Sequence, residues 1–251
     1  MRHNTNIRLY VSEDLTENQV LSLDKEQSHY LGNVMRKNPG DQLLTFNGRH
    51  GEWLSEIIDA NKRSVTLKAL EQTQPQKTEP DLWLAFAPIK KARLDFIAQK
   101  ATELGVGHII PVLTRRTIVD RVKTERMHAN AIEAAEQCER LTVPTIGETL
   151  KLEKLIDQWP TDRALMFCDE DLSGDDAYSA LKKYQSAHWI DKCGILIGPE
   201  GGFDDYEREL IKSQPNTLVV SLGPRVLRAD TAAISAITLW QAAVGDWSVS
   251  Q

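Results

Sequence analysis

Up to about Gln72, apolar residues alternate with polar ones in short runs. NIRLYV, DQLLTFNG, EWLSEIIDA and SVTLKAL are β-rich, and NGRHG and ANKRS between them supply turn chemistry. SHYLGNVMRK predicts one short helix before the turn NPGD. Closely spaced strands of this kind predict a small β-barrel over residues 1–72. EQTQPQKTEPD has two prolines and no apolar period, which predicts a linker over residues 73–80.

The period then changes. LWLAFAP predicts a buried strand. In ARLDFIAQKATELGV, Leu94, Ile97, Ala98, Ala101 and Leu104 fall on one helical face, with Gly105 at the C-terminal cap. HIIPVL is the next strand, so the three make a βαβ unit of a largely parallel sheet. ERMHANAIEAAEQCERL is a second helix, striped by Met127, Ala131, Ala134, Ala135 and Cys138. RALMFCDE, CGILIG and TLVVSLG add strands, and ADTAAISAITLWQAAVG a closing helix. Residues 81–251 therefore read as an α/β domain. The small side chains Ala232, Ala233 and Ala236 suit close helix packing, in a core or in a dimer contact.

Composition narrows the class. Apolar residues make up 41% and charged residues 26%, which gives a globular chain and not a disordered one. No apolar run approaches the ~20 residues of a membrane span, and MRHNTNIRLYV has no signal-peptide apolar region. Cys138, Cys168 and Cys193 are scattered without CxxC spacing, as reduced thiols of a cytoplasmic protein would be, and they outline neither a disulfide frame nor a metal site. The net charge of −6 excludes indiscriminate coating of nucleic acid but leaves room for a local basic patch.

The chemistry concentrates in two loops. In ILIGPEGGFDDYEREL a buried strand stops at Gly198, and a tight loop leads to a helix that Asp204 and Glu207 start as a capping box. Ligands of open α/β sheets bind at such carboxyl ends of strands. The spacing is neither GxGxxG nor a P-loop, and Glu200 would repel a phosphate; it suits hydroxyls, an amine or a cation. A plain strand-to-helix turn is the competing reading. SLGPRVLRADTAAISAI repeats the architecture, with Arg225 and Arg228 just before a helix start. Two guanidiniums there oppose the helix dipole unless an anion or a carboxylate such as Asp230 or Glu200 compensates.

IGPEGGF, LGPRVLRADTA, KKARLDFIAQKATELGV and IEAAEQCERLTVP together resemble the RsmE family of bacterial small-subunit ribosomal RNA methyltransferases, in the SPOUT superfamily. HYLGNVMR is similar to a stretch of that family's N-terminal PUA-like barrel. The family often has Thr-Glu or Ala-Glu where this chain has Ala229–Asp230, so the acid is one methylene shorter. The resemblance implies a trefoil-knotted α/β domain after a PUA-like β-barrel, S-adenosylmethionine as cofactor, a homodimer, and methylation of a uridine at N3 in 16S ribosomal RNA of the small ribosomal subunit. A related SPOUT enzyme with another RNA target and a non-catalytic RNA-binding assembly factor are the alternatives.

Carried onto this chain, the resemblance puts the cofactor against Leu196, Gly198, Pro199, Glu200, Gly201 and Gly202, and against Leu222, Gly223, Arg225, Val226 and Leu227. Arg228 is the candidate for stabilising charge that develops on the uracil. Asp230 or Glu200 would accept the N3 proton, or it would leave to water, and Asp230 has a competing role as helix N-cap. Lys90, Lys91 and Arg93 crowd a helix start, which invites an RNA phosphate or marks a solvated run; Arg115 and Arg116 extend the patch from the next strand. Arg8 and Arg36 are RNA candidates by resemblance alone.

Overall fold

The computed structural model describes residues 7–61, 64–119, 121–171, 174–188 and 192–247, and the chain divides into two units. The first comprises Met1–Thr78 together with Ala135–Val143. Its elements are β1 (Arg8–Tyr10), β2 (Val20–Ser22), α1 (Lys25–His29), β3 (Gln42–Phe46), β4 (Glu52–Ala60) and β5 (Val65–Gln74). The strands form one sheet in the order β1-β3-β4-β5-β2, antiparallel except for the β1–β3 pair. Alternation decides the inner face: Val65, Leu67 and Ala69 of β5 are fully buried, against Leu9, Leu21, Leu31, Leu43 and Ile57.

Three details differ from the sequence pattern. The helix expected over SHYLGNVMRK is α1 followed by a π-helical turn, Tyr30–Val34. Strand β2 escapes the pattern because it is a three-residue edge strand with only Leu21 buried. Strand β5 runs on through Thr73 and Gln74, beyond the expected boundary at Gln72.

Arg8 explains why Ala135–Val143 counts with this unit. Its guanidinium donates to the carbonyls of Ala135 at 2.8 Å, Glu136 at 3.3 Å and Arg140 at 3.1 Å, and to Glu52 Oε2 at 2.7 Å. It also lies 4.4 Å from the centre of the Phe46 ring. The Glu136 carboxylate accepts from Tyr10 N at 2.9 Å. With 7% of its side chain exposed, Arg8 is occupied internally and has no face left for RNA, so its assignment as an RNA contact is withdrawn.

The second unit comprises Glu79–Ala134 and Pro144–Gln251. In chain order it holds β6 (Asp81–Phe86), α2 (Lys91–Glu103), β7 (His108–Leu113), α3 (Thr124–Gln137, whose last residues count with the first unit), β8 (Thr145–Ile146), β9 (Leu150–Lys151) and α4 (Leu152–Asp157). There follow β10 (Ala164–Cys168), β11 (Asp175–Asp176), α5 (Ala177–His188), β12 (Lys192–Ile197), α6 (Asp205–Lys212), β13 (Thr217–Ser221) and α7 (Ala229–Ala243). All pairings in this sheet are parallel, in the order β11-β13-β10-β12-β6-β7-β8, with β9 also on β7.

The central strands are apolar throughout because both faces are covered. Successive residues divide between two cores. Cys193, Ile195 and Ile197 of β12 and Ala164, Met166 and Cys168 of β10 pack with α2, α5 and α7. Leu196, Leu165 and Phe167 face the other way, among α4, Ile211 of α6, Trp159 and Phe203. The sequence pattern passes over α4 and α5: α4 is six residues long, and α5 carries a sparse stripe of Ala177, Leu181 and Tyr184.

Arg8→Ala removes one half of a buried ion pair and three bonds to carbonyls. It is expected to cost about 3–5 kcal/mol in unfolding free energy, the size of breaking a buried pair from one side. Urea denaturation of the variant measures this, and a loss below 1 kcal/mol (about the worth of an exposed pair) would place Arg8 in solvent.

Candidate functional site

A parallel sheet delivers all its strands to one carboxyl edge, where the loops after β6, β7, β10, β12 and β13 gather. The loop after β12 is built around two glycines with different reasons. A Cβ on Gly198 would lie 2.5 Å from the ring of Phe203, which is fully buried and meets Phe167 edge-on at 5.3 Å between centres. Gly202 has φ +68°, its N–H closes a turn onto Pro199 O at 2.9 Å, and a Cβ there would sit 2.2 Å from Glu170 Oε1. Gly201 is less constrained: its φ is not left-handed, and its nearest neighbour would be Arg116 Cβ at 3.3 Å. Of the two adjacent glycines, Gly202 is therefore the one whose backbone requires glycine.

Helix α6 then starts as its capping box predicts. Asp204 Oδ1 accepts from Glu207 N at 2.8 Å, and Glu207 Oε2 accepts from Asp204 N at 3.1 Å. The other Glu207 oxygen accepts from Arg115 N, in the loop after β7, at 2.7 Å. The Glu207 N–H, and after it the Arg115 guanidinium, hold the Asp204 carboxyl below the usual carboxylate range. What this adds to stability is present above the ordinary carboxylate pKa and is lost as pH falls through the lowered one.

The basic residues are mostly occupied in holding these loops. Arg115 pairs with Asp204 at 2.9 Å and lies over the Tyr206 ring at 4.3 Å. Arg116 donates to the carbonyls of Gly201 at 2.9 Å and Phe203 at 3.4 Å. Arg93, in the first turn of α2, donates to Glu200 Oε1 at 2.7 Å and has its Nε 3.7 Å from Asp230 Oδ2. Of the cations crowded at that helix start, Arg93 is thus compensated by carboxylates of this chain. Lys90 is the exposed N-cap residue of α2 and makes no side-chain cap bond. Lys91 opens the helix, and its side chain lies outside the described residues. Arg36 is exposed in the first unit, with φ 51°.

The loop after β13 is open. Gly223 has φ +103°, and a Cβ added there meets nothing within 4 Å. Arg225 and Val226 are exposed, Leu222 and Leu227 half-buried. Arg228 is the N-cap residue of α7, with extended backbone and no side-chain cap bond. Asp230 lies inside the helix, so the N-cap role considered for it is corrected; its Oδ1 accepts from Thr231 N at 3.0 Å. Among the described residues, neither Arg225 nor Arg228 makes a side-chain hydrogen bond or ion pair; the arginine that reaches Glu200 and Asp230 is Arg93.

Strand β10 runs between β12 and β13, so the end of β10 lies between these two loops. There Glu170 and Asp169 engage Phe203 and Arg208, a role the sequence reading missed; the one signal for it was an acidic run directly after a buried strand. The edge as a whole combines the open backbone at Gly223, the apolar Leu222, Val226 and Leu227, the carboxylates of Glu200 and Asp230, and two unengaged guanidiniums. That set fits a ligand with a flat ring, hydroxyls, and both an amine and a carboxylate, as in S-adenosylmethionine.

Comparison with known proteins agrees with this chemistry. Residues 76–241 match the model of an RNA methyltransferase domain, and residues 23–70 that of an RNA methyltransferase PUA domain. The chain is 36% identical to ribosomal RNA small subunit methyltransferase E of Rickettsia conorii, over 92% of this chain and 93% of that one. A methyltransferase of Legionella pneumophila, solved with bound cofactor SAM, superposes with TM-score 0.84 at 31% identity, over 97% of this chain and 100% of that one. A ribosomal RNA small subunit methyltransferase E of Neisseria gonorrhoeae, bound to S-adenosyl methionine, gives TM-score 0.84 at 27% identity, over 96% and 99%.

Glu207→Ala strips the acceptor from two backbone N–H groups at once. The expected loss of stability is roughly 2–5 kcal/mol, from two unsatisfied donors at a buried position. Glu207→Gln should recover part of it, because an amide has one acceptor oxygen for two donors. Urea unfolding of both variants reads the difference, and equal stability of Ala and Gln would show that water replaces the carboxylate.

Proposed function

The chain belongs to the RNA methyltransferase family that carries an N-terminal PUA domain, the family of ribosomal RNA small subunit methyltransferase E, and from that premise we propose that it methylates N3 of a uridine in 16S ribosomal RNA of the small subunit, with S-adenosylmethionine as methyl donor. The observation that carries the reading is the edge formed by the loops after β12 and β13, with Arg228 unengaged at the N-cap of α7. The names of the relatives support the RNA class and the bound molecules of the solved structures support the cofactor. By the resemblance, the same proposal takes in a trefoil-knotted threading of these loops, a homodimer and a cytoplasmic location.

S-adenosylmethionine supplies a methyl group made electrophilic by its sulfonium. In the balanced reaction the N3–H bond and the S–CH3 bond break, an N3–CH3 bond forms, one proton is released, and S-adenosylhomocysteine leaves. The backbone about Gly198–Gly202 and Leu222–Leu227 holds the donor, and position alone lowers the barrier by several kcal/mol. Arg228 donates to a uracil oxygen as negative charge builds on it. Both Asp230 oxygens are engaged, by Thr231 N and Arg93, so Asp230 positions Arg93. Glu200 is the better proton acceptor: Arg93 holds one of its oxygens, and its side chain is half exposed. Lys90, Lys91, Arg36 and Arg225 are the cations left to meet RNA phosphates.

Methyl transfer to small subunits purified from a strain lacking this modification tests the function, with mass-spectrometric mapping of the product. A 3-methyluridine at one site is expected; cofactor binding without transfer would favour an assembly factor, and another modified position a related enzyme. Arg228→Ala should lower the single-turnover rate at saturating cofactor by about 10²–10³, the effect of one lost oxyanion-type donor. Arg228→Lys should recover only part, since lysine lacks the planar fork. A normal single-turnover rate with poor cofactor affinity would move Arg228 to the cofactor.

A further inference from the structure

The end of β10 carries groups to which methyl transfer gives no task. Asp169 is fully buried; its Oδ1 accepts from Arg208 Nε at 3.1 Å, and the Lys212 ammonium stands 3.3 Å from its Oδ2. Glu170 Oε1 accepts from Phe203 N at 2.9 Å and from the Arg208 Nη2 group. A continuous chain of charge-assisted bonds thus runs from a buried carboxylate through an arginine and a second carboxylate to one amide of the glycine loop. That amide follows Gly202, whose missing Cβ is what lets the Glu170 oxygen come so close. Arg116 holds the same loop by the carbonyls of Gly201 and Phe203, and the Phe203 ring is packed beneath Gly198.

An amide one residue before a helix cap would be satisfied by water in an ordinary surface turn. Here it is satisfied by a carboxylate whose rotamer is fixed by Arg208, itself oriented from the core. Supporting bonds of this kind hold a binding loop in its working geometry before the ligand arrives. We propose that Glu170 is a positioning residue for the cofactor loop: through the Phe203 N–H it fixes the left-handed turn at Gly202, and Arg208, oriented by Asp169, holds Glu170 in place. The proposal rests on the reading of that loop as the S-adenosylmethionine site.

The test compares Glu170→Ala and Glu170→Gln with the wild type in steady-state methyl transfer, RNA binding, urea unfolding and amide exchange by NMR. Glu170→Ala should raise KM for S-adenosylmethionine roughly tenfold, the equivalent of one hydrogen bond to a charged group. At saturating cofactor, kcat should be unchanged, as should RNA affinity. The Phe203 amide should exchange faster while the amides of α6 keep their protection. Glu170→Gln keeps an oxygen for Phe203 N and should restore most of the affinity. An unchanged KM in Glu170→Ala overturns the proposal. So does a KM rise accompanied by equal losses of RNA affinity and of protection across β10 and β12, which would make Glu170 a residue of the fold alone. If the wild type neither binds nor uses S-adenosylmethionine, the function proposed above fails; exchange at Phe203 then decides the latch separately, and an unchanged rate there refutes it.

Discussion

A strand buried on both faces must end, and the backbone that leaves it needs partners. At the carboxyl end of β12 the partners come from the loop itself and from three other places in the chain. Phe203 turns back under Gly198, Glu170 takes the Phe203 N–H, Arg116 takes two carbonyls, and Glu207 takes one N–H from this loop and one from the loop after β7. The loop is therefore specified by its surroundings more than by its own glycines. A site so held is ready for a ligand at little ordering cost.

Charge follows the same logic. Of the five basic residues placed near the sheet edge by α2 and β7, three are engaged with groups of this chain: Arg93 with Glu200 and Asp230, Arg115 with Asp204, Arg116 with main-chain oxygens. Of the arginines assigned to the site, those without a side-chain engagement among the described residues are Arg225 and Arg228, in the loop after β13 and at the start of α7. An unpaired cation at the start of α7 is unfavourable to the helix dipole by some tenths of a kcal/mol, a cost that binding of an anionic or charge-developing partner removes. Stability and function are thus divided between arginines of similar sequence context, by which carboxylate each one reaches.

Several features follow from the sequence because they depend on neighbours along the chain. The alternation in β5, the stripe of Leu94, Ile97, Ala98 and Ala101 in α2, the capping box of Asp204 and Glu207, and the strand-to-helix loops at Gly198 and Gly223 are all local, and the two motif-bearing loops together with two helix stretches suggested the family. Tertiary structure decided what depends on residues far apart. Arg8 is a buried partner of Glu52 and of carbonyls more than a hundred positions away, and Arg93 reaches Glu200 across a similar span. A run of basic residues looks the same in sequence whether it faces solvent or a distant carboxylate. Glu170 is the sharpest case: an acid in an acidic run, given a role only because the parallel sheet sets the end of β10 beside the turn at Gly202, where one oxygen and one absent Cβ fit together.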